Sequence, residues 1–279
     1  MRLNLNLAPA AVLTLVALPA LLCRADELGD KGRDIFKKNQ HAVVTVQIVL
    51  KMSYSASGRN STPNESKLDV TGTVVDPSGL TVLALSSCDP AEMYQLMRPD
   101  YKVETEVSDA KMLLDDGTEI PAQIVLRDKD LDLAFIRPKA KPASPMAAVD
   151  LSKSAPAQIL DQVVTLNRLN KAAGRAYAAS VERISAVLQK PRTFYIPDTT
   201  MSTTTLGSPA FTLNGNMLGV FVMRMVSSTG GTRGDNLTTI ILPAEDILKA
   251  AKQASEVKSD TEKKEEPKET KEQKDGKEQ

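Results

Sequence analysis

The stretch "STTTLGSPAFTLNGNMLGV" (residues 202–220) divides into two unequal halves. The second is a β-hairpin. Phe211 and Leu213 alternate toward a turn at Asn214-Gly215-Asn216, and an apolar run resumes at Met217, Leu218 and Val220. The first half is unusual. Four hydroxyl residues lead into Leu206 and then Gly207-Ser208-Pro209, a loop at the mouth of a hairpin, where chemistry is usually placed. An aliphatic side chain in that place needs a reason.

Working outward, short apolar segments recur on both sides of this loop. Residues 42–52, 67–76, 80–86, 110–116, 119–128 and 131–138 precede it, together with 161–169, 174–189 and 192–198; 236–243 follows. Most are bounded by Gly, Pro or Asp, at the spacing of an all-β barrel or sandwich. The stretch 138–157 holds four prolines and no periodicity, which predicts a linker, at about 139–157. It separates a first β unit, about 40–138, from a second, about 158–243. Residues 26–42 read as a short charged helix running into the first strand, and 53–66 as a polar, turn-rich loop. Residues 244–255 form an amphipathic closing helix with Ile247, Leu248 and Ala251 on one face. From 256 to 279 the sole aliphatic residue is Val257, set among alternating Lys and Glu. Such a segment cannot bury enough surface to offset its ordering entropy, so a disordered tail is expected.

The chain has 279 residues, with 35 basic and 35 acidic side chains. That balance leaves no net field to recruit nucleic acid or an anionic membrane surface. At the N-terminus, Arg2 precedes an apolar run ending at Cys23, and Ala25 stands before two acids. The pattern is that of a signal peptide, residues 1–25, cleaved after Ala25 and exporting the protein to the periplasm or beyond. An uncleaved membrane anchor is the alternative, and with it the expected membrane contact. After cleavage Cys88 is left without a partner for an internal disulfide, and it reads as a small buried apolar residue. No His/Cys/Asp group has metal spacing, and no glycine loop opens a helix as a phosphate cradle, so neither metal nor cofactor is expected.

Three segments, in order, resemble the trypsin-like serine proteases, and within them the HtrA/Deg branch. In "VTGTVVDPSGLTVLALSS" (70–87), Gly72 and Gly79 stand seven residues apart, as in that family, and seven further on Ser86 occupies the place of the catalytic His. In "DDGTEIPAQIVLRDKDLDLAFI" (115–136), Asp132 falls on the carboxylate that orients that His. The segment "DTTMSTTTLGSPAF" (198–211) aligns without a gap with the nucleophile loop. Leu206 then takes the nucleophile's place. Thr204 replaces the glycine that shapes the oxyanion turn, with Thr205 beside it. The resemblance implies two six-stranded β-barrels with a helix at each end, spanning 26–255.

It also implies a degenerate site. A serine hydroxyl attacks only when a neighbouring base takes its proton. The single histidine, His41, precedes the first strand and reads as a surface or strand-edge residue. Leu206 has no lone pair. Loss of nucleophile or base typically removes about six orders of magnitude from turnover. Ser208 stands where the family has glycine, and Ser86, Ser87 and Cys88 lack a partnering base. The expected function is therefore non-catalytic, binding or scaffolding polypeptide through the old cleft at Leu206, Gly207 and Ser208 or through the barrel surface. An active serine endopeptidase using displaced residues and a structural envelope protein are the alternatives. Asp132 is expected to keep a role by accepting backbone hydrogen bonds inside its own turn.

Overall fold

The computed structural model describes residues 26–56, 59–97, 100, 102–198, 205–226 and 237–256. The expected signal peptide, Thr204 and all of the expected tail after Glu256 lie outside the described residues. Helix α1 (Glu27–Asn39) starts on Asp26, whose carboxylate accepts from Gly29 N at 2.9 Å. Acids in its first turn and lysines in its last complement the helix dipole.

A 3₁₀ turn (Gln40–Ala42) feeds β1 (Val43–Ala56), which is followed by β2 (Arg59–Asn60), β3 (Asn64–Val74) and β4 (Thr81–Ala84). Two short helices, α2 (Leu85–Cys88) and α3 (Ala91–Met97), come next. Strands β5 (Lys102–Leu113), β6 (Glu119–Asp128) and β7 (Leu133–Pro138) complete the first unit. The sheet order β1-β3-β4-β7-β6-β5 closes through β1–β5 pairing, with β2 attached to the end of β1. The second unit holds β8 (Gln162–Arg168), β9 (Tyr177–Leu188), β10 (Phe194–Pro197), β11 (Pro209–Thr212), β12 (Met217–Met225) and β13 (Leu237–Pro243). They close in the order β10-β13-β12-β11-β8-β9. The expected pair of six-stranded antiparallel barrels is thus present, with α4 (Ala244–Glu256) after the second.

Alternation with period two sorts the side chains of each strand between two layers. Val44, Val46 and Ile48 enter the first barrel's interior beside Leu83, Met112 and Ile136. Val163, Ile184, Leu218, Phe221 and Ile241 fill the second. A larger core includes Val82 and Phe135 from the first barrel, Phe211, Val222 and Leu242 from the second, and Ile247 of α4. This layer carries the seam between the barrels. The hairpin read from sequence forms as expected, with Gly215 at φ +78° and its N–H on Thr212 O at 2.8 Å.

Three local expectations change. Residues 53–66 are not simply a loop: β1 runs to Ala56 and β3 begins at Asn64, with Met52 opposite both Asn64 and Thr105. Ladder bonds on two sides extend this arm, where serines mask the apolar alternation that a sequence reading needs. For the same reason β5 starts at Lys102 rather than 110, since Val103 alternates with charged neighbours. Strand β4 stops at Ala84, and Leu85 begins α2 because its N–H is taken by Asp132 O at 2.9 Å.

Candidate functional site

Asp132 precedes β7 and is 3% exposed. Its Oδ1 accepts from Ser86 N at 2.6 Å, and its Oδ2 accepts from Ser86 Oγ at 2.9 Å. A third donor comes from the second barrel: Met223 N on β12 reaches Oδ2 at 2.6 Å. The donors therefore come from α2 and β12, not from Asp132's own turn as expected, because the carboxylate points across the seam. The residue holds φ +55°, a left-handed backbone that Asp tolerates better than most side chains. Burial pushes its carboxyl up from 3.8 to about 6, and the hydrogen bonds from Met223 and Ser86 offset part of that rise.

The loop before β11 meets this site from the other barrel. Leu206 is 5% exposed and belongs to the core shared by the two barrels. Gly207 has φ +86°, and a Cβ there would lie 2.1 Å from Thr71 O, so only glycine fits. The same Cβ position is 3.6 Å from Ala84 N, two residues before Ser86. Positions 86, 132 and 206–207 are thereby gathered at one seam. Gly207 N donates to Phe221 O at 2.8 Å and its O accepts from Thr73 Oγ1 at 2.8 Å. Ser208 is fully buried; its N–H donates to Thr205 O and its O accepts from Phe221 N. Leu206, Gly207 and Ser208 therefore turn inward, and the main-chain groups named here are used within the protein. Thr205 is half-buried.

The trypsin-like peptidase domain family matches residues 39–220. This chain belongs to that family. Among solved structures, the MamO protease domain from Magnetospirillum magneticum, in its apo form, is 16% identical with a TM-score of 0.51. The match covers 77% of this chain and 98% of that one. The serine endoprotease from Yersinia pestis is 13% identical with a TM-score of 0.52, covering 80% of this chain and 66% of that chain. At such identities the likeness is one of fold. A search of curated proteins finds no match.

In this trypsin-like domain, Ser86 on α2 lies against Asp132, bonded to it through both its N–H and its hydroxyl. Cys88, two residues on, is wholly buried, its Sγ donating to Leu85 O at 3.4 Å. Burial, with Asp89 adding to it, pushes the thiol up to about 12, so it stays protonated and unreactive at neutral pH. A small cavity of about 210 Å³ opens beside Ser86 and Asp132. Its charged lining is paired within itself: Lys129 meets Glu92 at 2.6 Å and Arg127 lies 3.9 Å from Asp89. Among the described residues, no group of three or more His, Cys, Asp or Glu is placed to hold a metal ion.

His41 belongs to a different constellation, which sequence reading missed. Its Nδ1 lies 2.8 Å from Asp115 Oδ2, and Asp115 Oδ1 accepts from Arg168 Nη1 at 2.6 Å and from the Tyr177 hydroxyl. Arg168 also stacks on the Tyr177 ring, 4.1 Å from its centroid. Asp115 reads in sequence as half of a "DDG" turn, and its partners come from β8, β9 and the 3₁₀ turn. Nothing in the spacing of these residues announces their meeting.

Proposed function

We propose that this trypsin-like domain is a non-catalytic homologue that binds or scaffolds polypeptide after export by its N-terminal signal peptide. The observation that carries the reading is the bond from Ser86 Oγ to Asp132, with Leu206 buried where a nucleophile would stand. A serine hydroxyl cannot take a proton near neutral pH, and a leucine has none to give and no lone pair to attack with. The displaced alternatives are also poorly placed. Ser208 is fully buried, and the Cys88 thiol is pushed up to about 12. Because Leu206, Gly207 and Ser208 face inward, binding is carried by exposed barrel surface rather than by the floor of the old cleft. Any membrane attachment would come from an uncleaved N-terminal segment.

Active-site labelling tests this reading. The full chain incubated with a fluorophosphonate is expected to take up no label and to leave casein uncut. Labelling that disappears in Ser208→Ala would overturn it.

A further inference from the structure

A second, larger cleft lies behind the barrels. Strand β7 has six residues and so spans about 20 Å at ~3.3 Å per residue. Asp132 sits before its first residue, and the cleft begins past its last, where the linker leaves the first barrel. The cavity measures about 680 Å³, within the ~300–1,000 Å³ range of ligand pockets. Residues 140–147 of the linker form one wall and the β5–β6 hairpin, residues 114–121, the other; His41 and Tyr177 also line it.

Both walls are held in place. The linker is pinned at its two ends, by Lys139 N on Pro121 O at 2.8 Å and Met146 N on Pro77 O at 2.9 Å. Pro142 and Pro145 stiffen the span between, which limits the entropy lost when something docks. The opposite wall is fixed through Asp115, bound to Arg168, Tyr177 and His41. The cleft is therefore pre-formed.

Its chemistry is legible from its lining. Leu114, Ile120, Pro121, Pro142 and Met146 offer apolar surface. On the hairpin wall Asp116 is exposed and forms no ion pair among the described residues. Its Oδ1 instead accepts from Thr118 N at 2.9 Å, which holds its carboxyl below the usual range and keeps it ionised. Glu119, on the same wall, shares a solvent-exposed, hydrogen-bonded pair with Lys111 at 3.0 Å. Surface pairs of this kind contribute little stability, so a ligand cation can compete for it. Lys141 is the one lysine or arginine in the lining. The linker wall runs for eight residues, up to about 25 Å if extended, which suits a chain segment better than a compact molecule.

We propose that this rear cleft docks an extended, largely apolar polypeptide segment bearing one lysine or arginine, whose cation sits on the Asp116–Glu119 wall. The proposal deepens the polypeptide-binding reading above and rests on it.

His41 supplies the test, because it is the one histidine in the 279-residue chain and lines the cleft. Full-length protein carrying ¹³C-histidine would be titrated with the peptide Ac-AVAKAVA-NH2 and with Ac-AVAEAVA-NH2. The lysine peptide is expected to shift the His41 signal saturably, with at least about tenfold tighter binding than the glutamate peptide. Asp116→Lys/Glu119→Lys should reverse that preference, and the milder Asp116→Asn should weaken the lysine peptide alone. The site is overturned if neither peptide moves the signal, if both move it equally, or if free lysine amide moves it as far as the peptide does. Calorimetric binding without a His41 shift removes this site but leaves the polypeptide-binding reading standing. Cleavage of the peptide removes the non-catalytic reading, while a saturable His41 shift would still support the site.

Discussion

Asp132 at the front seam and Asp115 at the rear each reach from the first barrel into the second, but they are stabilised by different means. Asp132 is almost wholly buried and meets only neutral donors, Ser86 and the Met223 N–H. Asp115 is 42% exposed and meets the buried guanidinium of Arg168. Burial without a cation raises the first carboxyl to about 6. At Asp115 burial acts in the same direction, but hydrogen bonds from Tyr177, Arg168 and His41 overcome it and the carboxyl is lowered. The front seam thus holds a carboxylate with neutral donors and no cation. The rear seam is assembled as an ordinary ion-paired contact.

The largest expected effect breaks the front seam directly. Leu206→Ser removes a buried aliphatic group and buries a hydroxyl, which should cost about 4 kcal/mol by chemical denaturation. It should restore no turnover, because Ser86 cannot accept the proton. Measurable hydrolysis by this single variant would mean that another base exists. On the proposed non-catalytic reading, turnover requires at least Ser86→His together with it, and Thr204→Gly.

The pH dependence of the front carboxylate comes next. Its folded value lies above its unfolded 3.8, so the folded state holds the proton more tightly. Stability from this group is therefore present below pH 3.8 and is lost as pH rises through about 6. The loss amounts to about 3 kcal/mol, at ~1.4 kcal/mol per tenfold. Comparing wild type with Asp132→Asn between pH 4 and pH 7.5 isolates it, and the difference should decline as pH rises. A flat difference would show that the carboxylate is not buried as described. Asp115, being lowered, has the opposite sign, and its contribution fades only as pH falls below the ordinary carboxylate range.

At the rear, Asp115→Asn leaves the Arg168 guanidinium, 8% exposed, without its counter-charge. A loss of about 2 kcal/mol at pH 7 is expected, moderated by the solvent around Asp115. His41→Gln touches an exposed member of the same cluster, 59% exposed, and should cost about 0.5 kcal/mol or less. If the histidine change cost more than the aspartate change, the hub of the rear seam would have to be reassigned.

Much of this molecule is determined by local sequence. Strand positions follow from apolar alternation, the hairpin from Asn214-Gly215-Asn216, and α4 from the spacing of Ile247 and Ala251. Gly79, Asp132 and Gly207 hold positive φ that few side chains tolerate, and a Cβ at Gly72 would crowd Leu83 and Thr81. The register that carries the family resemblance therefore answers to local sterics. The places where sequence reading failed are where main-chain pairing outweighs pattern: the serine-rich arm of β1, the charged first half of β5, and the turn of α2 closed by Asp132. The orientation of residues 205–208 was likewise decided in three dimensions. Leu206 reads as an oddity at a cleft mouth until packing carries it into the core between barrels. Asp115, Arg168, Tyr177 and His41 share no motif because they are contributed by four separate segments. Barrel closure brings those segments together, so their meeting is encoded by the whole fold and by no stretch of the chain.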